Sequence, residues 1–256
     1  GGPVLQRVRI ESENELVKTF GEPTADTAEY FWSAANYLAY SNNLLVVRNT
    51  EANAINAVVG DDNAGTAKKI DNTDDYDGTS DFTDQLFVAK YPGARGSSLK
   101  AIAVDSAGWA SFSGLANSAR TPDQKLLFAN FNSSPGTSTD VAAAGGSNDE
   151  MHVLVIDENG LFSGTAGEVL EAHAFVSKAS DAKKIDGASN FVKNVLRNES
   201  EYIWLGQILK ITESSTDSGS EVVAGSLKAG NTFKLLNAAS DADKIIGGSL
   251  AGGSDG

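Results

Sequence analysis

Apolar residues in the first 48 positions recur at helical and strand spacings that define successive elements. Val4, Val8 and Ile10 lie in a short apolar-rich run, followed by Ser12-Glu13-Asn14-Glu15. In that Ser-x-x-Glu spacing each side chain can satisfy the other's free backbone N–H, so a helix is expected to start there. Leu16, Val17 and Phe20 share one helical face, and Gly21 and Pro23 supply a permissive C-terminal residue and a stop. A second helix is expected where Ala28, Phe31, Trp32, Ala35, Leu38 and Ala39 recur every three or four residues, the stripe of a helix laid against a sheet. Asn42-Asn43 then turns the chain into Leu44-Leu45-Val46-Val47, a continuously apolar run that reads as a buried strand. Phe20, Phe31, Trp32 and Leu38 are expected to be buried together against Leu45 and Val47.

From Gly60 to Asp84, Asp, Asn, Thr and Gly dominate and the periodicity disappears, which puts a lobe boundary near residue 59. Beyond it Leu99 to Val104, Val153 to Ile156, Val169 to Val176 and Tyr202 to Leu205 have strand character, separated by turns such as Asp157-Glu158-Asn159-Gly160. One helix is expected among them, because Phe191, Val192, Val195 and Leu196 fall on one face with Asn198 near the end. Ser106 to Asn148 is rich in Gly and Ser and reads as long loops. The fold class is α+β: strand-helix-helix-strand over residues 1–58, a β-rich lobe with few helices over 59–235, and a glycine-rich segment over 236–256. The stretch Ala179 to Ser189 echoes Ala239 to Ser249. Being shorter than the roughly 20 residues of a repeat unit, it reads as a shared turn-and-helix habit.

Composition narrows the function classes. At 256 residues and 41% hydrophobic, the chain can bury one substantial core or two modest ones. Twenty Lys and Arg against 34 Asp and Glu give a formal charge of −14, a surface repelled by phosphate backbones and anionic lipid heads. Nucleic-acid binding and membrane insertion are therefore not expected. The sequence has no cysteine, which removes disulfides, thiolate metal sites and thiol nucleophiles together. No run reaches the roughly 20 apolar residues that span a bilayer, and Gly1-Gly2-Pro3-Val4 has neither part of a signal peptide. A soluble, unexported chain is expected. The single methionine is Met151, so a fragment of a longer protein is expected as well.

Reactive constellations are scarce, and no catalytic, cofactor-binding or metal-binding residue is assigned. His152 and His173 are the two imidazoles, and neither has metal-ligand spacing. His152 is expected at a strand start and His173 within a strand, each partly buried or on the surface. Gly247-Gly248-Ser249-Leu250-Ala251 nearly matches a Gly-x-Ser-x-Gly nucleophile elbow, but no histidine follows to complete the Ser, Asp, His order. Phosphate-loop and dinucleotide motifs are missing, so no cofactor is expected. Thr73 to Asp84 has oxygen side chains at positions one, three, five, nine and twelve of a calcium loop and glycine at six. Thr at position one and Asp at twelve weaken it, and no amphipathic helix precedes it, so an acidic solvated turn is the stronger reading.

Several stretches together resemble the contractile tail sheath family of myoviruses. Leu16-Val17-Lys18-Thr19-Phe20-Gly21-Glu22-Pro23, continuing through Phe31 and Asn36-Tyr37-Leu38 to Leu45-Val46-Val47-Arg48, is similar to the segment with which such sheaths enter their core domain. Phe87 to Leu99, with Tyr91-Pro92-Gly93, resembles the family's Tyr-Pro-Gly segment, Ser200 to Trp204 a later strand, and Gly247 to Gly253 the glycine-rich return toward the core. The resemblance implies an inner core portion over 1–58, an outward-protruding lobe over 59–235 and a return segment over 236–256. Only about residues 60 to 86 stand where the largest members insert an extra outer domain.

It also implies a structural protein and not an enzyme. Its partners would be other copies of itself in stacked hexameric rings, the tail tube protein, the baseplate and the tail terminator. Its place would be the virion tail, assembled in the host cytoplasm. Family members carry an N-terminal arm before this point and more core after it. Without those, the chain alone is expected to stay monomeric while the whole protein forms tubes. The rival reading is a β-rich adhesin or receptor-binding module with a calcium-binding acidic loop, which leaves the strand-helix-helix-strand unit without a role.

Overall fold

In the computed structural model, residues 1–60, 65–206, 213–214, 233–234 and 245–256 are described. The first unit has the expected order. Strand β1 (Arg7–Ile10) pairs antiparallel with β2 (Leu44–Val47), and α1 (Glu13–Phe20) and α2 (Ala28–Leu38) lie between them in the chain. Ser12 Oγ accepts the Glu15 N–H at 3.2 Å, while the Glu15 carboxylate reaches back to the Glu11 N–H at 2.7 Å instead of that of Ser12. The capping box is displaced by one residue but still satisfies two free donors. Gly21, at φ 95°, ends α1 by donating its N–H to Val17.

Burial in this unit corrects the expectation. Ile10, Leu16 and Ala35 are buried, whereas Trp32, Leu45 and Val47 are 53%, 59% and 53% exposed. The cause is the register: Arg7 faces Val47 and Arg9 faces Leu45 across the ribbon, so those four share one face, and Ile10 with Leu44 and Val8 with Val46 share the other. A two-stranded ribbon covered on one side shields only half of its side chains, and the apolar run Leu44–Val47 alternates between half-buried and exposed instead of being buried throughout. Trp32→Ala is therefore expected to change stability by less than about 1 kcal/mol, whereas Ile10→Ala costs about 2–5 kcal/mol. Urea melts of the two variants check the contrast.

The remainder is layered. Its strands and helices are β3 (Val58–Val59), α3 (Thr73–Gly78), β4 (Phe87–Ala89), β5 (Leu99–Asp105), α4 (Ser106–Ser113), α5 (Pro122–Asn130), α6 (Thr139–Ala143), β6 (Glu150–Asp157) and β7 (Glu168–Ser177). They are followed by α7 (Val192–Glu199), β8 (Ile203–Leu205), the short pair β9 (Glu213–Ser214) and β10 (Phe233–Lys234), and β11 (Ile245–Ser249). One antiparallel sheet has the order β11-β5-β6-β7 and a second the order β3-β4-β8. Their inner faces meet in the main core, where Ala101, Ala103, Val153 and Val155 pack with Phe87, Ala89, Ile203 and Leu205, joined by Val192, Val195 and Leu196 of α7. The alternate residues Ile102, Val104, Leu154 and Ile156 pack under Trp109, Phe112, Leu127 and Phe131. The alternate residues of the smaller sheet, Val58, Val88 and Trp204, pack against Ile70 and Tyr76. Both faces of β4, β5, β6 and β8 are covered, which is why these strands read as nearly unbroken apolar runs, while the outer strand β7 is largely exposed or half-buried.

The fold is α+β, but the lobe holds more helix than expected. Ser106 to Asn148, read as loops, contains α4, α5 and α6, each started by a side-chain cap from Asp105, Thr121 or Ser138. Val58 and Val59 belong to a sheet strand, and residues 251 and 254 run back along 58 and 55. In the internal echo, 183–189 is a turn closed by Lys184 N–H to Ala188 O at 2.8 Å, with no helix, and 245–249 is strand. Residues 239–244 lie outside the described residues. The aligned glycines Gly187 and Gly247 share a positive φ of 85° and 92°. At Gly247 a Cβ would come within 2.2 Å of the Ala101 carbonyl, so glycine is required where β11 joins β5.

Candidate interaction surface

The strand-helix-helix-strand unit exposes much of its apolar surface. Among the described residues, seven of the twelve exposed large hydrophobic side chains belong to it: Leu5, Tyr30, Trp32, Tyr37, Tyr40, Leu45 and Val47. Tyr30 and Tyr37 are seven residues apart on α2, two turns along one side, with Tyr40 just past its end. On the ribbon, Leu45 and Val47 share the outer face with Arg7 and Arg9. Among the described residues no third strand pairs with β1 or β2, so both ribbon edges present open backbone donors and acceptors. Exposed tyrosine and tryptophan in such density is the composition of an interface core.

Polar contacts seat this unit on the layered body. The Val4 N–H donates to Asp71 O at 2.9 Å and Asn72 Nδ2 to Val4 O at 3.1 Å. The Arg48 guanidinium donates to Gly2 O at 3.1 Å, Pro92 O at 2.8 Å and Asp255 Oδ1 at 3.1 Å. Tyr91-Pro92-Gly93 and the last residues are thus drawn to one joint. Further out, Lys18 pairs with Glu201 at 2.9 Å in solvent. Between unit and body lies a cleft of about 550 Å³ whose walls include Lys18, Lys90, Arg95 and Tyr202. Lys90 donates to Ser200 O and lies over the Trp204 ring, and burial holds its pKa below the ordinary lysine value.

The chemistry-bearing residues are dispersed. His152 is fully buried within β6, not partly buried at a strand start as expected. His173 lies in β7, 3.0 Å from Glu171, whose carboxylate also accepts the Glu201 N–H at 2.6 Å. Burial raises the Glu171 pKa, but the hydrogen bonds from His173, Glu201 and Ser200 outweigh it and hold it low. The two histidines share no partner. Residues 73–78 of the calcium-like stretch form α3, capped by Asn72, and this removes the loop conformation that the spacing requires. Asp77 is bidentate with Arg197, Asp81 pairs with Lys68, and Asp84 accepts from Thr66. Among the described residues no group of three or more His, Asp or Glu is placed to hold a metal ion. Among them, too, no helix is long and apolar enough to cross a membrane.

An exposed apolar unit on an acidic chain with dispersed chemistry directs attention to assembly. A segment of 47 residues is 55% identical to the tail sheath protein of Enterobacteria phage T4. It covers 18% of this chain and spans only 7% of that tail sheath protein. No family model matches the chain. The likeness is confined to that one segment.

Proposed function

We propose that the chain is part of a subunit of a contractile phage tail sheath, without catalytic activity or cofactor. Copies stack as hexameric rings around a tail tube, bounded by baseplate and tail terminator. They are assembled in the host cytoplasm and drive the tube through the host envelope when the lattice shortens. The observation that carries this reading is the concentration of exposed Tyr30, Trp32, Tyr37, Leu45 and Val47 on one small unit, beside the local likeness to a tail sheath protein. Removing such surface from water on assembly stabilises by roughly 25 cal/mol per Å² of apolar area. A lattice with two arrangements moves toward the one that satisfies its interfaces better. The adhesin alternative gains little from the acidic stretch, where Asp77, Asp81 and Asp84 are engaged by Arg197, Lys68 and Thr66.

The test uses the full-length protein that contains this chain. Electron microscopy and sedimentation are expected to show regular tubes, and Tyr30→Ser combined with Tyr37→Ser and Leu45→Ser is expected to reduce the sedimenting fraction at least tenfold at unchanged melting temperature. Those side chains are exposed in the subunit, so folding does not depend on them. A full-length protein that remains monomeric overturns the reading.

A further inference from the structure

His152 has no place in an assembly surface, yet its environment is closely constrained. It is fully buried in β6. Its ring stacks on Phe131 at 4.1 Å and meets Phe175 edge-on at 4.7 Å and Trp109 at 5.7 Å. Both ring nitrogens are engaged. Nε2 lies 2.9 Å from the Ser133 carbonyl, and Nδ1 lies 3.1 Å from the Phe175 backbone nitrogen. A carbonyl only accepts and an amide N–H only donates, which assigns the neutral ring with its hydrogen on Nε2 and a bare Nδ1.

The residue held by Nδ1 is itself unusual. Phe175 has φ 54°, a left-handed conformation that an aromatic side chain rarely adopts. It stands where the β6–β7 register shifts between Met151 and Val153, so Ala174 and Phe175 together oppose His152 in a β-bulge. The extra residue of a bulge loses its ladder partner. Here side chains replace that partner: His152 takes the Phe175 N–H, and Asn190 Nδ2 donates to the Phe175 carbonyl at 2.9 Å. The conformation persists because its surroundings hold it.

We infer that His152 is a proton-operated latch on the edge strand β7, closing the Phe175 bulge when neutral and releasing it when protonated. A proton on Nδ1 turns the acceptor into a donor facing another donor, and the aromatic cage supplies no counter-charge. The charged groups of every element around the ring are engaged elsewhere or exposed. On β5, Lys100 pairs with Asp123 of α5, and Asp105 caps α4 and pairs with Lys178. On β6, Glu150 accepts from Gly136 and Asp157 from Ser98. On β7, Glu171 pairs with His173, while Glu168 and Lys125 of α5 are exposed. Burial pulls the His152 pKa below its ordinary 6.5, with the Ser133 hydrogen bond opposing. The closed form therefore binds the proton less well than the open form. Its stability is complete above pH 6.5 and declines as pH falls toward the closed-form value. This inference does not rest on the sheath reading.

Amide exchange of the chain by NMR between pH 7.5 and 5 tests it, with the ring ¹⁵N shifts of His152 recorded in parallel. The expected result is an Nε2–H tautomer at neutral pH and a Phe175 protection factor, corrected for intrinsic exchange, that falls about tenfold per pH unit below the ordinary histidine value. His152→Asn, whose amide oxygen can accept the Phe175 N–H but cannot titrate, is expected to flatten that fall, and His173→Gln to leave it intact. A Phe175 protection factor independent of pH in the wild type, or a ring protonated on Nδ1 at neutral pH, overturns the inference even if His152→Asn does not fold. A pH step that survives His152→Asn overturns it too.

Discussion

Replacing Trp204 with alanine is expected to lower the unfolding free energy by about 3–5 kcal/mol. Trp204 sits in β8 opposite Val88, fully buried, and its ring stacks on Tyr76 at 4.4 Å and 11°. Its Nε1–H donates to the Lys90 carbonyl at 2.8 Å, and the Tyr76 hydroxyl donates to Leu205 O at 2.7 Å. One truncation therefore opens a cavity, removes an aromatic stack and leaves the partly buried Lys90 carbonyl without its donor. The same layer pushes the Tyr76 phenol above its ordinary pKa by burial, so the tyrosine stays neutral and donating. Trp204→Phe keeps most of the stack and loses the N–H bond, so its cost should fall to about 1 kcal/mol plus a small packing term. Urea unfolding with an unchanged m-value separates the two variants, and a loss below about 1 kcal/mol for Trp204→Ala would mean that the outer layer of the small sheet collapses onto the gap.

The second large effect is expected at Asp105. Its carboxylate caps α4 by accepting the Gly108 N–H at 2.9 Å and lies 3.5 Å from the ammonium of Lys178, which is fully buried. Burial depresses the Lys178 pKa, and the charges of Asp105 and Asp149 oppose the shift. Asp105→Ala removes the nearest counter-charge together with the cap, at an expected cost of about 3–5 kcal/mol. Lys178→Met should cost less, because methionine fills the space of the stem and Asp105 keeps its bond to Gly108. The sign of the pH effect follows from the depressed lysine. The unfolded chain binds the proton more strongly, so the deficit of Asp105→Ala should shrink as pH rises toward 10.5 and Lys178 enters the core neutral. Melts at pH 7 and pH 9.5 check this, and an equal deficit at both would show that Lys178 is not the source of the cost.

Local structure was legible wherever one short segment carries its own instruction. Ser12 and Gly21 mark the ends of α1, the stripe from Ala28 to Leu38 marks α2, and the apolar runs at 99–104, 153–156 and 169–176 are strands of one sheet. The capping box of α5, Thr121 with Gln124 behind Pro122, was equally present, but the glycine and serine around it masked the signal. Those helices need only a few apolar anchors, since Trp109, Phe112 and Leu127 cover a sheet face that is already complete.

Trp32 shows the opposite limit. Its spacing is that of a core residue, but whether a stripe is buried depends on whether another layer exists to receive it, and the ribbon offers its helices one face. The acidic stretch at 73–84 likewise had the spacing of a metal loop, and its fate was decided by Arg197, 120 residues away from Asp77. His152 read as a strand residue with no particular task. Its significance came from Phe131, Ser133 and Phe175, brought to the ring by two separate parts of the chain. The sequence by itself determined caps, periods and turns, because these act between neighbours a few residues apart. Only the tertiary structure decided which apolar face stays in water and which charge or imidazole finds a partner, because burial and pairing are properties of surfaces that meet after the chain has closed on itself.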